Sequence, residues 1–114
     1  MAVLDLDHLK KIVGDDPAFL RQVLQIFIRN APQDMGEMAQ HVEAGDHEKV
    51  GFFAHKLKSA SGAIGYNQAY NDFKEVEAMA KDMAPMEDIQ TVTDRLAQEC
   101  AACMVDIEKI MNEL

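Results

Sequence analysis

Apolar residues recur every three or four positions along almost the whole chain. No segment shows sustained alternation bounded by hairpin turns, so the pattern predicts an all-α fold. A short first helix is expected over residues 5–13, stopped by Gly14. Asp15 or Asp16 then caps a second helix with Pro17 in its first turn, where a missing N–H costs nothing. Phe19, Leu20, Val23, Leu24, Phe27 and Ile28 line its apolar face, and Met35, Met38 and Val42 carry the stripe past Pro32 to Gly45. This predicts one long helix kinked near Asn30 rather than two. Asp46 caps a third helix that ends between Ser61 and Gly65. A fourth sets Tyr66, Ala69, Tyr70, Phe73, Val76, Ala80 and Met83 on one side. After a turn at residues 83–87, which contains Pro85, a fifth presents Ile89, Val92, Leu96, Cys103, Ile107, Ile110 and Leu114. Four amphipathic helices with short connections imply an up-and-down four-helix bundle, with the short extra N-terminal helix packed across one end. Residues 1–114 read as a single domain, large enough for a core and too small for two.

The third helix carries the candidate chemistry. At about 100° per residue, Val50, Phe53, Ala54, Leu57 and Ser61 share one side, and His55 points roughly 140° away from them, toward solvent. Gly51, Phe52, Ser59 and Gly62 surround it on the exposed face, and Lys58, read as a mostly exposed side chain, lies one turn along at i+3. A reachable imidazole among small residues and lysines suits close approach by another protein and the handling of an anion.

Charge sharpens this picture. The chain has 11 Lys and Arg against 20 Asp and Glu, a net charge of −9. That argues against a nucleic-acid partner, because phosphate-backbone binding needs a basic surface. Residues 49–71 nevertheless contain Lys49, Lys56 and Lys58 and no carboxylate, so a local positive field surrounds His55. No apolar run approaches the roughly 20 residues that cross a bilayer, and Asp5 and Asp7 break a signal-peptide pattern. The expectation is a soluble, cytoplasmic protein. Cys100 and Cys103 spell C-x-x-C, but they fall deep inside a periodic helix with no second ligand pair, so they read as core thiols. The eight methionines recur at helical core positions and read as pliable filler. His8 and His41 read as surface residues, and His47 lies two turns before His55, too far for a shared metal.

The order of His55, Leu57, Lys58 and Gly65 resembles the signature of the histidine-containing phosphotransfer (HPt) family of two-component phosphorelays, with Ser59 in place of the usual first glycine. Leu4-Asp5-Leu6-Asp7, the segment from Gly14 to Leu20, Ala31-Pro32, Ala44-Gly45-Asp46 and Glu75-Val76-Glu77 extend the resemblance along the chain. Tyr66, Ala69 and Tyr70 depart from it, because large and small residues are exchanged there.

The resemblance implies a phosphocarrier without its own ATP site. His55 would take a phosphoryl group on its outer ring nitrogen from a receiver-domain aspartate and return it to another receiver. Lys58 would offset the phosphate's charge, Ser59 and Gly62 would leave room for the incoming loop, and Gly65 would serve the turn into the next helix. Glu77, with Lys81 one turn on, occupies the position from which the family can hydrogen-bond the imidazole. Phe52, Gly51 and Lys56 would meet the docking partner. The implied partners are receiver domains and a hybrid sensor histidine kinase, met by a monomer. The chain would hold no cofactor or metal, Mg2+ being expected on the receiver.

Elementary chemistry is compatible with this assignment. An imidazole, with a reference pKa of about 6.5, offers a ring nitrogen to phosphorus near neutral pH without a strong base. Phosphoryl transfer relies mainly on positioning and charge stabilisation, so a carrier can leave the metal and acidic pocket to its partner. Two alternatives remain at this level: a kinase-associated domain phosphorylated directly from ATP by a separate catalytic domain, and a helical adaptor that docks partners through Phe52 without chemistry. A metal-binding bundle ranks below both, since no pair of Glu-x-x-His motifs occurs.

Overall fold

The expected start and stop signals are used almost residue for residue. In the computed structural model, which describes residues 4–114, the helices are α1 (Leu6–Val13), α2 (Pro17–Ala44), α3 (His47–Ala63), α4 (Asn67–Lys81) and α5 (Met86–Glu113). Met1, Ala2 and Val3 of the expected 1–114 domain lie outside the described residues. Asp5, Asp16 and Asp46 each turn a carboxylate back onto a free backbone N–H of the helix they precede, at 3.0 to 3.1 Å. Gly45 ends α2 in the left-handed conformation at φ 72, which returns its N–H to the last carbonyls.

Helix α2 runs unbroken through Pro32. Proline in a helix interior removes one hydrogen bond and costs about 3 kcal/mol. The ring is exposed, while Ala31 and Met38 on either side are buried in the core, so packing holds the helix together across the break.

Each of the four long helices packs on the next, and α5 returns to α2, giving the ring α2, α3, α4, α5. Arg21 near the start of α2 donates to the Leu114 carbonyl at the end of α5 at 3.1 Å, so these two helices are antiparallel. A 28-residue helix spans about 42 Å, and the molecule's longest dimension is 43 Å. α2 and α5 thus set its length, while the shorter α3 and α4 cover only part of them. The expected all-α bundle with a short N-terminal helix is observed.

Two core assignments need correction. Met83 does not extend the apolar face of α4: it lies beyond the helix, 67% exposed, with φ 56. The chain leaves the helix at Lys81 and closes with Met83 N–H on Ala80 O and Ala84 N–H on Met79 O, and Pro85 disfavours a return to helical geometry at Ala84. Phe19 is also exposed. The first turn of α2 sends Leu20, in line with Leu24, into the core, both fully buried, and Phe19 falls on the solvent side of that stripe. Cys100 is buried and Cys103 half-buried, both as free thiols. Burial pushes the Cys100 thiol up to about 11 and raises the Tyr66 phenol beside the two sulfurs, as expected for unreactive core groups.

Candidate functional site

The α3 phase predicted from periodicity is correct: Val50, Ala54, Leu57 and Ser61 are buried, and the His55 side chain is 63% exposed. Phe53, expected on the core side, is only half-buried, and His41 stacks on it at 5.5 Å with rings 14° from parallel. His41 is therefore not a free surface residue: from α2 its ring covers the face of Phe53 that the core leaves open. Phe52 stands 62% exposed beside this pair, edge-on to Phe53 at 5.1 Å. A carboxylate on the buried face of α2, Asp34, takes the ammonium of Lys56 at 3.1 Å. Asp34 was detectable as an acid falling between Ala31 and Met38 on the buried stripe.

The centre of the site is built from two helices. Glu77 of α4 places one carboxylate oxygen 2.7 Å from His55 Nδ1 and the other 2.7 Å from Lys58 Nζ. Lys58 is not the mostly exposed side chain expected from the sequence, for its side chain is 19% exposed and Glu77's 28%. The ammonium drops into the α3–α4 groove because the carboxylate lies there. The Lys58 hydrogen bond, with a smaller contribution from His55, holds the Glu77 carboxyl below the usual range, and burial opposes it. The Glu77 hydrogen bond raises the Lys58 ammonium in return. Glu77 is ionised at neutral pH and can only accept, so the nitrogen facing it carries the proton. The other ring nitrogen, Nε2, then keeps its lone pair.

The supporting residues divide. Ser59 is exposed beside the ring, and Gly65 takes φ 75 at the turn into α4, as expected. Gly65 has a second constraint: a Cβ there would lie 2.7 Å from the Asp5 carbonyl, while its own carbonyl accepts the Asp5 N–H at 2.8 Å. Gly62 does not hold open space for a partner. Tyr70 lies across it, its Cδ2 3.0 Å from where a Cβ would be. The exchange of large and small residues on α4 thus fills inside the bundle what a small Gly62 leaves empty. Gly51 is half-buried against Ala80, with ordinary room for a Cβ at 3.6 Å. Lys81 is exposed and makes no ion pair among the described residues, so it does not join Glu77. His47 instead lies 2.7 Å from the Ala84 carbonyl and ties α3 to the α4–α5 turn. Among the described residues no His, Cys, Asp and Glu cluster could hold a metal ion, and no helix is long and apolar enough to cross a membrane.

The helical bundle that carries this imidazole has counterparts among known proteins. Residues 22–109 match the Hpt domain family. The chain belongs to that family. Its fold is similar to that of the HPT domain from an Hpt sensor hybrid histidine kinase of Shewanella, with a TM-score of 0.84 at 18% identity over 98% of this chain and 96% of that one. No relative among curated proteins matches it. Hpt domains are phosphocarrier modules that perform histidine phosphotransfer in phosphorelays, where they interact with receiver domains, and this chain is such a module.

Proposed function

We propose that His55 is the phospho-acceptor, and that its Nε2 takes the phosphoryl group from a receiver aspartate and yields it to a second receiver. The observation that carries this reading is the pairing of an exposed ring with a carboxylate 2.7 Å from Nδ1, which leaves Nε2 as the nucleophile facing solvent. Attack by the Nε2 lone pair forms the N–P bond as the aspartyl oxygen leaves with its electron pair. The metal and the acidic pocket that balance the phosphoryl charge belong to the receiver.

Lys58 shares the Glu77 carboxylate with the ring, and in this reading its Nζ turns from Glu77 to the phosphoryl oxygens once they arrive. Phe52 and the exposed part of Lys56 lie on the docking face, with a hybrid sensor histidine kinase as the upstream partner. The test is incubation with phosphorylated receiver. Wild type and the His8→Gln, His41→Gln and His47→Gln variants should gain an acid-labile, base-stable phosphate, and His55→Gln should gain none. Equal labelling of His55→Gln would overturn the assignment, and labelling of none would favour an adaptor.

A further inference from the structure

Helix α5 carries two thiols that phosphotransfer does not use. Cys100 is buried and Cys103 half-buried, both free, one turn apart. The Tyr66 phenol lies against both sulfurs, so the two side chains turn toward one another. A cleft of about 470 Å³ between α2 and α5 opens on Cys100, and the thioethers of Met35 and Met104 line the way in. We propose that Cys100 and Cys103 form a binding site for a soft monovalent cation, copper(I), held between the two sulfurs. Residues three apart on a helix have Cβ atoms about 5 to 6 Å apart. A disulfide needs a Cβ separation of about 3.8 Å, so a bridge would distort α5. Metal–thiolate bonds of about 2.3 Å on opposite sides of one ion set the sulfurs about 4.5 Å apart, which the undistorted helix spans.

The donor set selects the ion. Thiolates and thioethers favour copper(I), which needs few ligands. Zinc takes four, and no three His, Cys, Asp or Glu side chains gather among the described residues. Copper(I) replaces the proton of each thiol, giving a bis-thiolate complex of net charge −1 and two protons released to solvent. Burial pushes the Cys100 thiol up to about 11 and opposes this loss. Tyr66, whose phenol burial raises, keeps its own proton and donates it to sulfur, which offsets part of the cost. Glu99 on α5 and Asp72 on α4 add negative charge nearby, and Arg95 pairs with both, at 3.8 and 3.6 Å. The site shares no residue with the His55 centre on α3 and α4.

The test titrates the reduced protein, under argon, against copper(I) held by the coloured chelator bicinchoninate. Wild type should withdraw one copper(I) per chain, with an affinity that rises by up to about a hundredfold per pH unit below the thiol range, because two protons leave. Copper(I) should also raise the melting temperature. Cys100→Ala and Cys103→Ser should each lose about a hundredfold or more in affinity, since the second sulfur acts from a fixed position on the same helix. His55→Gln should bind as wild type does. Cys103 is half-buried, so Cys103→Ser decides the matter even where Cys100→Ala fails to fold. Half the copper retained in each single variant at unchanged affinity would mean two independent thiols and overturn the proposal. Failure of wild type to compete with the chelator, or zinc(II) bound as tightly as copper(I), would overturn it as well.

Discussion

At the scale of single residues, the site depends on one carboxylate shared between a ring and an ammonium. Lys58→Ala removes the main cause of Glu77's lowered pKa, so the Glu77 carboxyl should titrate closer to the usual glutamate range, as 13C NMR of the side chain would show. If Lys58 meets the phosphoryl group as proposed, transfer should slow by about tenfold or more once its ammonium is gone. Unchanged titration and kinetics would remove Lys58 from the site. The pair also sets a pH window. Glu77 is lowered from 4.5, so its contribution to stability is present above that pH and is lost as the pH falls through its folded value. Lys58 is raised from 10.5, so its contribution is present below that pH and is lost as the pH rises through its folded value. Wild type and Glu77→Gln should therefore differ most in urea midpoint between these limits and converge below the carboxylate range. A difference that persists in acid would contradict the ion pair as its source. Phe52 is exposed, so Phe52→Ala should change stability by less than about 1 kcal/mol and weaken receiver binding by about 1 to 2 kcal/mol. A melt alongside a receiver titration checks both; collapse of the fold would assign Phe52 to the core.

Between elements, α3 and α4 approach through two glycines with different surroundings. Gly51→Ala meets Ala80 at ordinary contact distance, so the gain in helix propensity should leave stability equal or higher by up to about 1 kcal/mol. Gly62→Ala drives a methyl against the Tyr70 ring and should destabilise. Thermal melts of Gly62→Ala alone and combined with Tyr70→Ala form the check. The cost should shrink in the double variant, and equal costs in both backgrounds would place the strain elsewhere. Helix starts, the phase of α3 and the exposure of His55 were legible in sequence because they depend on caps and on a period of 3.6 residues. Glu77's bond to the ring could be expected only through family resemblance, since periodicity places residues on faces and says nothing of which α4 side chain meets which α3 side chain. For the same reason Tyr70 over Gly62, Phe53 under His41 and the half-burial of Lys58 were not legible. Met83 was misplaced because an apolar residue in phase with a helix looks like core until the chain has turned away, here just before Pro85.

For the whole molecule, the bundle acts as a rigid mount. Two long helices set the frame, α3 and α4 carry the imidazole and its carboxylate, and the Gly65 turn pins the segment before α1 against the α3–α4 connection. Gly65→Ala, strained both by φ 75 and by the Asp5 carbonyl, should lower stability by about 1 to 3 kcal/mol in denaturant unfolding while leaving the distant His55 competent for transfer. The central claim is atomic: phosphorus bonds to Nε2 of His55 while Glu77 holds Nδ1. It is tested most directly by the 15N–31P coupling in the phosphorylated, 15N-histidine-labelled domain. The account predicts one phosphorylated ring, His55, with phosphorus coupled to Nε2 and a proton retained on Nδ1; phosphorus on Nδ1, or on any other histidine, would contradict it.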